Sequence, residues 1–281
     1  MNPFTKTVGA ISDDAIKLDV GDNILNARNT MIQYNISRVV ITEDNMPAGM
    51  ITEKDIVRFI YSSNLNKRPS EIKIGEVIGN KPPITVGSSM LLVSCARLML
   101  SKGISSLIVT QKNSKDLKVI TKTDLVNHYS KFYKQINKVK EYMTTKVYSI
   151  SPDELLIEAM KILLEKKVSR VAVVKNGKAV GIITGRDLLP ISSLVNSGFE
   201  KYSNKSPSGL NMAISGLKAI IMIGDIMRSP LLTIFSNADL ADAAKIMIRN
   251  RISGLPVVDK NDKLIGIVTK TDVIRAFSKS S

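Results

Sequence analysis

Four pairs of side chains carry the chemistry open to this sequence: Thr52 with Asp55, Thr121 with Asp124, Thr184 with Asp187, and Thr269 with Asp272. They close the stretches GMITEKD (Gly49 to Asp55), KVITKTD (Lys118 to Asp124), GIITGRD (Gly181 to Asp187) and GIVTKTD (Gly266 to Asp272). In each, two apolar residues run into the threonine and the acid follows three residues on, the pattern of a strand that stops where a helix starts. The threonine hydroxyl can accept from the N–H three residues ahead, and the acid suits the positive end of the helix. The same groups could instead bind a phosphorylated sugar, because helix N-termini attract anions. The motif alone leaves capping and binding both open.

The elements that position these pairs repeat with them. Upstream of each motif stands a serine, in ISRVVI, ISSLIV, VSRVAVV and ISGLPVV; from Ser37, Ser105, Ser169 and Ser253 to the motif threonine is 15, 16, 15 and 16 residues. Before each serine lies an apolar helix face at i, i+3, i+4, i+7 and i+8. It reads Leu92, Cys95, Ala96, Met99, Leu100 in the second copy and Leu156, Ala159, Met160, Leu163, Leu164 in the third. The fourth has Leu240, Ala243, Ala244, Met247 and Ile248, and the first has Ile24, Ala27, Met31 and Ile32 with Arg28 breaking the face. Polar turns (EDNMP, QKNSKD, KNGK, DKNDK) split the apolar runs that follow each serine into hairpins. Each copy is thus a β-α-β-β-α unit of mixed α/β (α+β) class, at residues 14–62, 75–130, 139–195 and 222–278. A unit of this size buries too little surface to stand alone, so units should pack in sequence order into two modules, 1–130 and 139–278.

Composition narrows the functions. A chain of 281 residues with 44% hydrophobic and 23% charged residues is globular rather than disordered. Cys95 is the only cysteine and His128 the only histidine, which excludes an internal disulfide, a cysteine cluster and a multi-histidine zinc site. Cys95 takes the place of Ala159 and Ala243 on a core face and reads as a small packing residue. His128 has no repeated counterpart and reads as a packing or surface residue. The opening MNPFTKTVGAISDD lacks the apolar core of a signal peptide, which leads us to expect a cytoplasmic protein. The net charge of +15 admits nucleic acid as a partner. That excess is spread evenly, with 20 basic and 12 acidic residues in 1–140 and 20 and 13 in 141–281, unlike a basic tail.

The joints differ. Tyr129 to Met143 is basic and aromatic, and the spacing of Phe132, Ile136 and Val139 predicts a helix packed between modules. Ser192 to Gly209 reads as a polar loop, and the apolar run Leu210 to Gly224, too short and interrupted to span a membrane, as core or subunit interface.

The four copies together resemble the cystathionine beta-synthase (CBS) domain family, whose signature is an apolar strand with glycine, then threonine or serine, two residues and aspartate opening the last helix of the unit. The resemblance runs from about Asp14 to Ser278. It implies units paired into Bateman modules with adenosyl ligands between them: AMP, ADP, ATP or S-adenosylmethionine. The aspartates Asp55, Asp124, Asp187 and Asp272 would hold ribose hydroxyls, and Thr52, Thr121, Thr184 and Thr269 would contact phosphate or ribose. Four units in one chain resemble the gamma subunit of AMP-activated protein kinase, where two modules form a disc. By that likeness Arg38 and Arg170 are phosphate contacts, replaced in the even copies by Ser106 and Gly254, and Arg186 is a further candidate. The second copy departs by carrying Lys118 where the others have Gly49, Gly181 and Gly266, so ligands are expected first in the third and fourth units. The implied role is a regulatory adenine-nucleotide sensor, without catalysis or a catalytic cofactor, acting on a protein partner or as a homodimer. The class that competes with it is a nucleic-acid-binding or scaffold protein using the basic surface.

Overall fold

A computed structural model describes residues 5–62, 69–79, 82–112, 114, 116–188 and 221–280. Unit 1 comprises β2 (Lys17–Asp19), α1 (Ile24–Gln33), β3 (Arg38–Glu43), β4 (Met46–Thr52) and α2 (Glu53–Ser62), preceded by β1 (Asp13–Asp14). Unit 2, after α3 (Ile74–Ile78), comprises β5 (Thr85–Gly87), α4 (Leu92–Ser101), β6 (Ser106–Thr110), β7 (Leu117–Thr121) and α5 (Lys122–Phe132). Unit 3 follows α6 (Val139–Tyr142) with β8 (Ser149–Ile150), α7 (Leu156–Glu165), β9 (Arg170–Lys175), β10 (Lys178–Thr184) and α8 (Gly185–Leu188). Unit 4 follows α9 (Ile223–Ile226) with β11 (Ile234–Phe235), α10 (Leu240–Arg249), β12 (Gly254–Val258), β13 (Leu264–Thr269) and α11 (Lys270–Ser278).

Within every unit a short strand runs parallel to the first hairpin strand, which pairs antiparallel with the second. The hairpins turn where the sequence supplies residues that tolerate positive φ, at Asp44 and Asn45, Asn176 and Gly177, and Asp262. The constant serine-to-threonine spacing is the length of this hairpin. The residue after each serine pairs with the motif threonine, as Arg38↔Thr52, Ser106↔Thr121, Arg170↔Thr184 and Gly254↔Thr269. The carbonyls of Ser37, Ser105 and Ser253 accept the first helical N–H, from Glu53, Lys122 and Lys270.

The repeated helix faces make the cores. Ile24, Ala27 and Met31, then Leu92, Cys95, Ala96 and Met99, Leu156, Ala159, Met160 and Leu163, and Leu240, Ala243, Ala244 and Met247 are all buried. The i+8 position falls at the rim, and Ile32 is 50% exposed. Each unit packs its helices on the unit two places along, 1 on 3 and 2 on 4. It packs its hairpin on its sequence neighbour: Val40 and Met50 of unit 1 meet Ile108, Leu117 and Val119 of unit 2. In the second pair, the Leu264 N–H donates to the Gly177 carbonyl.

One expectation is corrected here. Tyr129 to Met143 is not one helix: α5 ends at Phe132, Gln135 takes a left-handed φ of 60°, and a new turn of helix starts at Val139. Phe132 (48% exposed) and Ile136 (58% exposed) therefore face outward, and only Val139 is buried. The segment still joins units 2 and 4, because its backbone bonds to the start of α10 through Gln135 to Asp239 and Leu240 to Asn137. The loop Ser192 to Gly209 and the run Leu210 to Gly224 as far as residue 220 lie outside the described residues. Among the described residues no helix is long and apolar enough to cross a membrane.

Candidate functional site

The four threonine–aspartate pairs have one geometry. Each threonine sits where its strand ends, and its backbone N–H donates to Oδ2 of the aspartate: Thr52 to Asp55 at 2.9 Å, Thr121 to Asp124 at 2.7 Å, Thr184 to Asp187 at 2.8 Å and Thr269 to Asp272 at 2.7 Å. The threonine hydroxyl donates to the same oxygen, at 2.5, 2.8, 2.7 and 2.7 Å. The aspartate half of the cap, a carboxylate accepting the threonine N–H, is therefore present in all four copies and uses only one carboxylate oxygen, while the threonine hydroxyl accepts a helical N–H at Thr52 and Thr121.

The second oxygen separates the copies. Asp187 Oδ1 accepts from Arg228 Nε at 2.6 Å, and Asp272 Oδ1, on a residue only 2% exposed, is paired with Arg275 at 3.1 Å. Oδ1 of Asp55 and of Asp124 accepts no hydrogen bond among the described residues, and a carboxylate oxygen left open can accept from a ligand hydroxyl. Asp124 faces a cavity of about 200 Å³ lined by Lys6, Asp13, Asn127, His128 and Lys131. Burial holds its carboxyl above the usual range, against the two threonine bonds. His128 is a buried packing residue, 4.8 Å from Phe132 and 5.7 Å from Phe277 between ring centres. Cys95 is buried on α4, and burial with nearby Asp124 pushes its thiol up to about 12.

The glycine of the motif has a concrete cause. The strand that carries it is covered by the segment preceding the other unit of the pair, with bridges Ile182↔Arg228 and Thr144↔Ile267. A Cβ on Gly181 would lie 2.5 Å from Met227 Sδ, one on Gly266 2.9 Å from Met143 Sδ, and one on Gly49 3.0 Å from Ile78. In unit 2 the covering strand is β1, whose Asp14 pairs with Lys118 in the sheet and by a 3.6 Å ion pair. Lysine is thus admitted because the strand laid over that position presents Asp14, an ion-pair partner, where the other copies present methionine or isoleucine.

Arg38 and Arg170 each reach out of their own unit. Arg38 Nη1 donates to the Ser105 carbonyl at 2.7 Å and to Ser105 Oγ at 3.1 Å, while Ser37 Oγ accepts from Nε and Nη2. Arg170 lies over Gly254, where a Cβ would fall 1.7 Å from its Nη1. Gly254 therefore lacks a side chain because Arg170 fills the space one would need, whereas Ser106 keeps a hydroxyl that donates to Met50 Sδ at 2.9 Å. Arg170 Nε is buried without a hydrogen-bond partner, and burial, opposed by Asp272, lowers the guanidinium to about 10. The Arg186 backbone is helical and its side chain lies outside the described residues.

Sequence reading passed over Lys122 and Lys270. Lys122 Nζ donates to Thr271 Oγ1 of unit 4 at 2.9 Å, and Lys270 Nζ donates to Thr123 Oγ1 of unit 2 at 2.9 Å. This reciprocal pair locks the even units together, and its signal was the shared TKTD of copies 2 and 4 against TEKD and TGRD. Burial first, then the charges of Arg38 and Lys54, push Lys122 down to about 8; Asp272 opposes and Arg170 adds to the fall. Side chains from all four units thus act on one point, with cations from three of them.

The repeats match the profile of the CBS domain at residues 8–62, 74–131, 139–193 and 223–279. The chain belongs to the CBS domain family. It is similar to protein MJ1225 of Methanocaldococcus jannaschii, with 25% identity over 257 residues and 88% of each chain covered. The MJ1225 crystal structure, described as that of a proposed archaeal homologue of the gamma subunit of AMP-activated protein kinase, superposes with a TM-score of 0.81 at 21% identity over 97% of this chain and all of that one. CBSX1, a chloroplastic CBS domain-containing protein of Arabidopsis thaliana, is 31% identical over 149 residues, which cover 49% of this chain and 63% of that protein. CBSX2, also from Arabidopsis thaliana, has been crystallised in complex with AMP; it aligns with half of this chain at 27% identity and a TM-score of 0.39.

Proposed function

We propose that this CBS domain protein is a non-enzymatic regulatory sensor that binds adenosine nucleotides in the clefts headed by Asp55, Asp124, Asp187 and Asp272. The observation that carries the reading is geometric: Arg38 Nη1 and the Lys122 N–H meet on the Ser105 carbonyl, and Arg170 Nε is buried and unpartnered, with the charges of Arg38, Lys54 and Arg170 felt at Lys122. A cap needs no such cluster, and holding cations together in a part-buried place costs stability unless an anion is to be received. Phosphate suits it in charge and in the fork geometry of the guanidinium. The open Oδ1 of Asp55 and Asp124 supplies the complementary end, an acceptor for ribose hydroxyls.

The copies differ in readiness. Unit 2, with its open aspartate and adjoining cavity, can accept a ligand as it stands. Units 3 and 4 must first release Asp187 from Arg228 and Asp272 from Arg275, which reverses the order read from the glycines. Because each cleft lies between units, a ligand that favours one packing over another shifts their arrangement, and a protein partner can read that shift.

A thermal-melt series with AMP, ADP, ATP and S-adenosylmethionine tests this. At a hundredfold excess over the dissociation constant the gain is about 2.7 kcal/mol. Asp124→Ala should remove much of it. Failure of every adenosyl compound at millimolar concentration to move the melting point would end the proposal.

A further inference from the structure

A second cavity, of about 330 Å³, opens between α5 of unit 2 and α10 of unit 4. Its walls carry Lys131 and Lys134 from the end of α5 and the turn beyond, Lys245 and Arg249 from α10, and the side chain of Asn127. No acidic residue lines it. None of the four cations makes an ion pair or a side-chain hydrogen bond among the described residues. Lys131 and Arg249 lie in the last turns of their helices, where a cation is favoured by the helix dipole. That explanation does not reach Lys245, which is half-buried in the middle of α10, or Lys134, which lies outside any helix. Four unpaired like charges facing one small cavity repel one another, and an anion between them turns that repulsion into attraction.

We propose that this cavity is a second ligand site, separate from the aspartate-headed clefts, for a small compound bearing two or more phosphate groups. The volume falls in the range of small-molecule sites. Four cations on two facing helices suit several negative charges rather than one, and the Asn127 amide adds a neutral donor. The occupant would tie unit 2 to unit 4, and so one module to the other. Asn127 and Lys131 also line the cavity at Asp124, so the two sites share side chains. A ligand at one must then alter affinity at the other, by the same factor in both directions. This site stands without the nucleotide reading, since it uses neither the aspartates nor Lys122.

Calorimetric titration of the full chain with inorganic triphosphate tests it. Wild-type protein should bind, and Lys134→Glu with Lys245→Glu should weaken binding by about tenfold or more, as expected when charged hydrogen bonds are lost. Lys134→Gln with Lys245→Gln should give an intermediate loss, which guards against a misfolded charge reversal; melting temperatures of both variants report on folding. In a Lys122→Met background, which weakens any triphosphate held at the nucleotide clefts, the two double variants should show the same losses. Equal affinity with and without the double substitutions, in either background, or no binding by wild type at millimolar triphosphate would each overturn the proposal.

Discussion

Replacing Lys122 by methionine should make the protein more stable and worse at binding nucleotide. The charged lysine is held at a place that disfavours charge, with its proton affinity lowered from 10.5 to about 8 by burial and by Arg38 and Lys54. Below pH 8 both the folded and the unfolded chain carry this charge, so the folded state bears the full penalty, at most ~3 kcal/mol. Between pH 8 and 10.5 the folded protein has shed the proton and the unfolded chain still holds it, so stability rises with pH in that window. Above 10.5 the penalty is gone. Methionine keeps the length, removes the charge and loses the bond to Thr271, so the net gain at pH 7 should be about 1–2 kcal/mol once solvent screening and that bond are discounted. In a chain of this size that is a rise of about 2–6 °C in melting temperature. The gain should vanish towards pH 10.5. AMP affinity should fall by about tenfold or more with the loss of a charged phosphate contact. Calorimetry of melting at pH 7 and pH 10, with AMP titrations at pH 7, measures all three. A variant that melts lower than wild type at pH 7 and binds AMP equally well would refute the reasoning.

Three further outcomes follow from the geometry. Gly254→Ala places a Cβ 1.7 Å from Arg170 Nη1 and 3.0 Å from the Val268 carbonyl, so it should destabilise by about 1–3 kcal/mol. Denaturant melts of the single variants and of the double variant with Arg170→Ala should show coupling, because only the arginine contact is relieved; strict additivity would contradict it. Arg228→Gln frees Asp187 Oδ1 and should raise the number of AMP molecules bound or tighten the weakest, as read by native mass spectrometry; an unchanged spectrum would show that this pair does not gate unit 3. Cys95, buried and with its thiol pushed up to about 12, should resist a thiol reagent at pH 8 until the protein is unfolded, and rapid labelling of the native chain would contradict the placement.

Much of this was legible in the residues because it repeats. A helix face such as Leu92, Cys95, Ala96 and Met99, set in register with three others, fixes the unit and its core without reference to any partner. The hairpin was legible through the serine-to-threonine spacing, although its cause, the serine carbonyl receiving the first helical N–H, needed coordinates. What escaped was everything that depends on one unit meeting another. Arg228 lies 41 residues from Asp187 in the chain, and Lys122 meets Thr271 across 149. The spacing of Phe132, Ile136 and Val139 gave a false helix for the converse reason: a left-handed residue, Gln135, breaks a pattern that no proline or glycine marks. Glycine was also a poor guide to ligand readiness. It reports the side chain packed over the strand, Met227 or Met143, and not the state of the aspartate.

The central claim is tested most directly by a crystal structure of the chain grown with AMP. The account predicts adenosine in the unit 2 cleft, its ribose hydroxyls donating to Asp124 Oδ1 and its phosphate directed at the cations around Lys122. AMP bound away from all four aspartates, or bound with its phosphate in solvent while Lys122, Arg38 and Arg170 keep their present contacts, would contradict it.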